Sequence, residues 1–266
     1  SLLVNAKNAT KPELTDTIKI DEVVITATKT KRALKDVPAR ISVVNSKTIA
    51  FSPAMQLDDI LRFVPGVNVN RSAGIYAQRP MVTLRGLSGD EQARTLVLLN
   101  GIPINTSDEG GVNWNRINPN DIERVEVFKG PGSSLYGNNA LGGVINLITR
   151  KPNKPQELFA AVSYGTFNTI RQDLNIGMRS EKGYYGSVSQ YFVKSDGFNN
   201  IPEADRTEYD TARFLEEIGV SARAGYDQNQ WFNWEIQYDI FRDKRGEGYQ
   251  IYAPEGCYRN FNANLF

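Results

Sequence analysis

Residues 157–242 alternate between apolar and polar positions in segments of roughly ten residues. In one of these segments four apolar side chains share a face and mostly charged or amide side chains share the other: Ile170, Leu174, Ile176 and Met178 against Arg171, Asp173, Asn175, Gly177 and Arg179. A period of two predicts β-strands, because successive side chains of a strand point to opposite sides. The pattern therefore predicts about five antiparallel strands after residue 151.

The composition of the two faces indicates what surrounds these strands. The apolar face is unusually aromatic, as in Phe232, Trp234 and Tyr238, while the opposite face carries Glu235 and Asp239. Short connections also alternate with a long polar one at residues 195–211. Long strands with an apolar outer face, a polar inner face and unequal loops are typical of barrels in an outer membrane. A soluble sandwich also alternates, but its strands are seldom so long or so aromatic.

The length excludes a complete barrel. The 115 residues after position 151 supply about five strands, whereas the smallest barrels have eight and a barrel that encloses a domain has about 22. We therefore expect residues 152–266 to form only the first strands of an incomplete barrel, and Phe266 to be a break in the chain.

Residues 31–151 have the pattern of a small domain of strands and short helices. Leu57, Ile60, Leu61 and Val64 recur with helical spacing and predict one buried helical face, which the Pro-Gly pair at residues 65–66 ends. Apolar runs predict strands at residues 39–44, 67–69, 81–86, 95–99, 122–128 and 142–149. Asn100-Gly101 predicts a hairpin turn. A polar joint with two prolines, at residues 151–155, is the expected domain boundary.

Two loops of this domain are long and contain aromatic side chains. We name residues 71–80 the first loop and residues 103–119 the second loop; they contain Tyr76 and Trp114. Long loops without helices or strands of their own are usually functional or disordered. Exposed connectors are the simpler interpretation, but aromatic groups mixed with amides and charges favour contact with a ligand.

The first 30 residues have the composition of a tether. Residues 5–19 are polar, without a period, and are typical of disorder. Residues 20–28 are β-prone and are bounded by charges on both sides. They predict either a short edge strand or a strand offered to a partner protein, in which main-chain hydrogen bonds supply the affinity.

Several classes of chemistry are excluded over these 266 residues. The sequence has no His and one Cys, so it has no Ser-His-Asp or Cys-His site and no Cys/His metal cluster. The glycine-rich residues 130–137 lack the Lys-Ser/Thr pair of a phosphate loop and predict only a tight turn. The net charge of +1 argues against a nucleic-acid partner. We therefore expect no catalytic residues, no metal site and no cofactor.

The order and spacing of seven motifs resemble the plug domain of TonB-dependent outer-membrane receptors, and the alternating strands resemble the start of that family's barrel. Each motif is weak by itself, but their order is specific. The motifs lie at residues 21–27, 57–61, 65–67, 84–86, 98–101, 122–131 and 136–146.

The resemblance implies the fold class, the partners and the location. It implies an α+β plug domain (31–151) inside an antiparallel transmembrane β-barrel of 22 strands, of which about five lie in 152–266. A periplasmic extension (1–30) would carry the TonB box: Asp21, Glu22, Val23, Val24, Ile25, Thr26 and Ala27. The implied partners are TonB with its inner-membrane complex, a small nutrient ligand, outer-membrane lipid and a surface lipoprotein. The implied location is the outer membrane of a Gram-negative bacterium.

The resemblance also implies roles for individual side chains. The two loops would be the plug apices that contact substrate, through Arg71, Tyr76, Gln78, Asp108, Asn113, Trp114 and Asn115. Charges within the motifs would seat the plug against the barrel or gate it, namely Arg85, Glu123, Arg124 and Glu126. The alternative for these four is a set of solvated strand charges, which contribute little.

The resemblance implies a receptor that binds a scarce nutrient at the cell surface and imports it to the periplasm with energy transmitted by TonB, but it says less about the substrate class. The β-prone segment lacks the Val-Gly-Tyr-Gly ending of glycan-importing relatives, which favours ferric siderophores, other iron complexes or cobalamin. Haem receptors usually employ His, and these 266 residues contain none, so the sequence gives no support to haem as the substrate. A passive surface-binding component of a larger complex, or a glycan or peptide importer of the same family, remains the alternative.

Overall fold

A computed structural model describes residues 23–24, 32–33, 40–77, 79–86, 94–107, 110–137, 139–207, 209–228, 232–248 and 255–265. The N-terminal domain, residues 40–149, is built on a five-stranded sheet in the order β3-β8-β9-β6-β7, in which only β6 and β9 run parallel. The pairs β1–β2 and β4–β5 form separate two-stranded sheets. The strands are β1 Val23–Val24, β2 Arg32–Ala33, β3 Ile41–Asn45, β4 Val67–Asn70, β5 Met81–Leu84, β6 Thr95–Leu99, β7 Ile102–Pro103, β8 Ile122–Phe128 and β9 Gly143–Thr149. The α-helices are α1 Ser46–Phe51, α2 Leu57–Leu61 and α3 Ser133–Tyr136, and 3-10 helices lie at Gly74–Tyr76, Trp114–Arg116 and Pro119–Asp121.

Helix α2 packs its predicted face into the core of this domain. Leu57, Ile60, Leu61 and Val64 are all buried in one cluster, which confirms the prediction made from their spacing. The helix ends at Leu61, and the chain then reverses at Gly66, whose φ of +78° is a conformation that glycine adopts without steric cost. The chain can therefore turn back at once into β4.

The turn between β6 and β7 is also as predicted. Asn100 and Gly101 both have positive φ, at 51° and 85°, as a two-residue hairpin turn of the primed type requires. Leu99 then pairs with Ile102. This turn places the Asn100 side chain at one end of the sheet, where it contacts the second part of the chain.

The second part is an antiparallel meander, which we call the wall, in which each strand pairs with the next. Its strands are β10 Gln156–Gly165, β11 Thr169–Arg179, β12 Tyr184–Phe198, β13 Arg213–Tyr226, β14 Trp234–Arg245 and β15 Glu255–Leu265. The described residues of this part form six strands, where about five were expected. The additional strand is β15, whose amide-rich sequence interrupts the apolar alternation.

The wall separates its two faces by residue parity, which confirms the alternating pattern. On β11 to β14 the odd-numbered side chains face the N-terminal domain and are mostly buried, as are Asp173, Glu217 and Glu235. The even-numbered side chains face away and include exposed apolar groups: Ile170, Ile176, Met178, Val188, Ile218, Ile236 and Tyr238. The apolar face is thus the outer one.

The two ends of the wall differ. Segments 166–168, 199–212 and 246–254 join strands at one end, which we call the long-loop end because it carries the longest connection, and segments 180–183 and 227–233 join them at the other. Tyr76 contacts Ser195 at the long-loop end, whereas Lys151 lies near Asp227 at the opposite end. The first loop therefore faces the end of the wall that carries the longest connection, residues 199–212.

Over the described ranges, no helix is both long enough and apolar enough to span a membrane.

Candidate functional site

The first loop is held from the inside by Arg71. Its guanidinium pairs with Asp58, with Nε 2.9 Å from Oδ2 and a second short contact from Nη2 to Oδ1. Nη1 donates to the carbonyls of Gly74 and Ala77, at 3.0 and 3.3 Å. The Arg71 and Asp58 side chains are 2% and 0% exposed. Arg71 therefore shapes the loop, and its donors are directed away from any ligand outside it.

Tyr76 joins the first loop to the wall. Its hydroxyl lies 2.8 Å from Ser195 Oγ. Its ring contacts the Phe198 ring edge-on, with 5.7 Å between the ring centroids. Its backbone carbonyl accepts a hydrogen bond of 3.0 Å from Arg245 Nη1. Ile75 and Tyr76 also pack on a buried apolar cluster of the wall that contains Tyr191, Val193, Leu215 and Phe241. Tyr76 is only partly buried, so its ring remains available from the long-loop end.

The second loop turns its predicted contact residues inward. Trp114 is 1% exposed and belongs to the apolar core of the N-terminal domain. Asn113 is buried, and its Oδ1 accepts from the Asn115 amide as a helix cap. The Asn115 side chain donates to Glu217 of the wall at 2.8 Å. These three residues pack and position the loop, and burial keeps them from direct contact with a ligand that binds at the long-loop end.

Glu217, Asp243 and Arg245 form a buried group that we call the wall triad. Arg245 Nη2 lies 2.7 Å from Glu217 and Nε lies 2.8 Å from Asp243, and all three side chains are 2% exposed. Glu217 and Asp243 are direct cross-strand partners on β13 and β14, so without the guanidinium two carboxylates would face each other. The triad contacts both loops, through Asn115 and through the Tyr76 carbonyl.

A second set of polar contacts joins the N-terminal domain to strands β11 and β12 of the wall. Asp121 accepts from Ser189 at 2.5 Å and from Asn175 at 3.0 Å. Burial raises the pKa of Asp121 above its usual range, and the Ser189 hydroxyl and the Arg223 charge oppose that rise. Arg171 donates to Asn118 Oδ1 and to the Met55 carbonyl, both at 3.1 Å. The N-terminal domain is therefore attached to the wall by buried hydrogen bonds as well as by apolar packing.

The charges predicted to seat the domain pair mainly along their own strand. Arg124 Nε lies 3.0 Å from Glu126, which is fully buried, and Arg124 Nη1 lies 3.5 Å from Glu123. Arg85 is exposed, with a φ of 57°, and its amide donates to the Gly66 carbonyl. A gating role for these four residues stays a prediction.

Other predicted residues lie wholly or partly beyond the described ranges. Gln78 and Asp108 lie outside them. Of the predicted TonB box, Val23 and Val24 are described, and their backbone pairs antiparallel with Arg32 and Ala33. Asp21, Glu22, Ile25, Thr26 and Ala27 lie outside the described residues. Within the described part of the chain, no group of three or more His, Cys, Asp or Glu side chains is placed to hold a metal ion.

The residues that attach the domain to the wall were visible in the sequence only as a class. The alternating pattern places Arg171, Asp173 and Glu235 on the polar face of their strands, but no role was assigned from the sequence to Glu217, Asp243 or Arg245. The available signal was parity: Asp243 and Arg245 have odd numbers on a strand whose odd positions face inward. Parity gives the face, but it does not give the partner across the interface.

Comparison with known proteins identifies what this arrangement is similar to. Residues 33–144 match the family model described as TonB-dependent Receptor Plug Domain. The chain is 31% identical over 230 residues to the vitamin B12 transporter BtuB of Vibrio vulnificus (strain CMCP6), which covers 82% of this chain and 36% of that protein. It is 32% identical over 145 residues to the ferric enterobactin receptor PirA of Pseudomonas aeruginosa, covering 50% of this chain and 19% of that protein.

A solved structure shows the same fold. Pseudomonas aeruginosa FpvA bound to heterologous pyoverdines aligns with a TM-score of 0.70 at 18% identity, over 91% of this chain and 33% of that one. This agreement confirms the predicted fold class of a plug domain with antiparallel barrel strands. The chain spans about a third of the length of the curated relatives it matches.

Proposed function

This chain belongs to the TonB-dependent receptors, and we propose on that basis that it imports a scarce nutrient across the outer membrane of a Gram-negative bacterium. The observation that carries the proposal is the attachment of both loops to the inner face of the wall through the wall triad. A plug held at its apices by a few buried contacts can block a barrel at rest and move when those contacts change. We propose transport without a catalytic step.

We propose cobalamin as the first substrate class to test and ferric siderophores as the second. The order is supported by the relatives, since the named B12 transporter matches 82% of this chain and the named enterobactin receptor matches half of it. Uptake of cyanocobalamin and of ferric enterobactin, in cells that lack their own receptors, separates the two. Uptake of neither one by cells that display the receptor at their surface would contradict this pair of classes.

Substitution of Tyr76 tests the apical ligand site. We expect Tyr76→Ala to weaken binding of the imported nutrient about tenfold, which corresponds to about 1.4 kcal/mol, because a partly exposed ring at the long-loop end is lost. Equilibrium binding of cyanocobalamin or ferric enterobactin to whole cells measures the effect. Tyr76→Phe removes only the hydroxyl contact with Ser195 and should retain most of the affinity. The matched control is Tyr164→Ala, which removes an exposed ring from β10; equal losses in both Ala variants would contradict the assignment.

We propose that TonB binds residues 21–27 as an added strand. Support comes from the β-prone sequence of these residues and from their position before the plug, which begins at residue 33 in the family match. Strand addition uses main-chain hydrogen bonds, so it tolerates side-chain changes but not loss of a backbone donor. A surface lipoprotein as a further partner remains part of the same proposal.

We propose that the outer face of the wall contacts lipid. Val188 is the fifth of the fifteen residues of β12 and is 51% exposed, with apolar side chains on both neighbouring strands at Ile176 and Ala222. We expect Val188→Arg to lower the free energy of unfolding in lipid by up to about 2–4 kcal/mol, the cost of a cation at the middle of a bilayer. Denaturant unfolding of the receptor in lipid vesicles measures this. Val188→Leu should be close to neutral, and an equally small effect of Val188→Arg would place this face in water.

A further inference from the structure

A cavity of about 70 Å³ lies between the N-terminal domain and the wall, at a place where the two are not in direct contact. The second loop and the 3-10 helix at Pro119–Asp121 form one side, and strands β12, β13 and β14 form the other. Its polar lining includes Asn113, Asn118, Asp121, Ser189, Arg223 and Gln237. This volume is larger than the cavity that one water molecule needs, so it admits a small oxyanion or several waters.

Two donors in this lining have no partner among the described residues. Arg223 is 6% exposed and its Nη1 makes no hydrogen bond, and Asn113 is 5% exposed and its Nδ2 makes none. A buried donor without an acceptor costs about 1–3 kcal/mol, and more when it is charged. Buried polar groups of native proteins are almost always satisfied. Both side chains belong to residues that line the cavity, so an acceptor inside it is one way to satisfy them.

The acidic groups of the lining do not supply that acceptor. Asp121 accepts from Ser189 and Asn175, and both oxygens of Asp239 accept from Gln237 Nε2, at 3.0 and 2.9 Å. Arg223 forms no ion pair with a described residue, although its charge acts on Asp121 through space. Arg116 adds a second cation to the lining.

We propose that this cavity is an oxyanion site, in which Arg223 and Asn113 bind a carboxylate or phosphate group. A guanidinium presents two parallel donors that match such a group, and the amide supplies a third from the opposite side. The group belongs either to a free small anion or to a larger solute that passes between the plug and the wall. The site stands on the cavity and its donors alone, and it is independent of which nutrient is imported.

Titration of the intact receptor in detergent with inorganic phosphate, at constant ionic strength, tests the site. We expect saturable binding to one site by calorimetry. Arg223→Gln should weaken it at least tenfold, and Arg223→Lys, which keeps the cation but loses the planar fork, should weaken it less. Asn113→Asp keeps the oxygen that caps the second loop but replaces the free donor with an anionic oxygen, so it should also weaken binding.

The matched control is Arg242→Gln, which removes the same charge from the exposed face of β14 and should leave phosphate binding unchanged. Absence of saturable binding to the unmodified receptor, or equal affinity of Arg223→Gln, would overturn the proposal and leave the cavity to water. Circular dichroism of each variant establishes that it is folded.

A second titration distinguishes the two sources of the anionic group. Cyanocobalamin carries a phosphodiester, so its presence should raise the apparent Kd for phosphate if the site takes the group of a larger solute. An unchanged Kd, measured while cyanocobalamin is bound to the receptor, assigns the site to a free anion. If the unmodified receptor binds phosphate but does not take up cyanocobalamin, this result counts against the proposed substrate and not against the oxyanion site.

Discussion

A chain that lacks residues 23–26 is expected to lose nutrient uptake while it keeps ligand binding at the cell surface. The deletion removes the centre of the strand proposed to pair with TonB but leaves the loops and the wall triad intact. Energy coupling and ligand binding should therefore separate. Uptake of labelled nutrient over minutes, compared with binding to de-energised cells, measures the two properties independently.

Two further variants make this test specific to strand pairing. Val24→Pro removes one backbone donor without shortening the chain and should reproduce the deletion, whereas Val24→Ala should be mild. Deletion of residues 6–9 shortens the polar segment by the same length and should preserve uptake. Intact uptake in the chain without residues 23–26 would favour the alternative of a passive surface-binding component.

Arg245→Met is expected to have the largest effect on the seating of the plug. It leaves Glu217 and Asp243, which are cross-strand partners and 2% exposed, without their shared cation. Removal of one member of a buried ion pair typically costs about 3–5 kcal/mol, because the remaining charge has no compensation. The hydrogen bond to the Tyr76 carbonyl is lost as well. We expect a lower free energy of unfolding and weaker nutrient binding from the same variant.

Neutralising the two acids should reverse most of this loss. In the triple variant Glu217→Gln, Asp243→Asn and Arg245→Met, no uncompensated charge is buried, and residue 217 can still accept from Asn115. Arg242→Met removes a cation from the exposed face of the same strand and should change little. Denaturant unfolding and nutrient binding, measured on all three variants, check the prediction. A triple variant as unstable as Arg245→Met would show that lost packing, and not buried charge, causes the effect.

The fold followed from local signals wherever the interaction is short in sequence. Helical spacing fixed the buried face of α2, and Asn100-Gly101 fixed a hairpin, because neighbours along the chain decide both features. Strand β15 was not foreseen, since its amide-rich sequence weakens the alternation and its pairing with β14 supplies the order instead.

The candidate site was harder to predict, because residue type alone does not show whether a charged or aromatic side chain faces a ligand or the protein interior. Arg71 and Trp114 had the composition of ligand contacts, yet Arg71 binds Asp58 and Trp114 lies in the core. Both side chains are satisfied inside the N-terminal domain by groups outside their own loop. Asp58 pairs with the Arg71 charge, and the apolar core packs against the Trp114 ring. Tyr76 remains the most accessible of the described candidates.

By itself, the sequence determined the order of the elements, the parity of the wall and the family motifs, because periodicity and turn chemistry act between residues that are close in the chain. The tertiary structure alone decided which polar groups meet. Asn115 and Glu217 are 102 positions apart, and Tyr76 and Arg245 are 169 apart. Such pairs form because a buried donor or charge must find an acceptor once water is excluded, and only the packed chain shows which acceptor lies within reach.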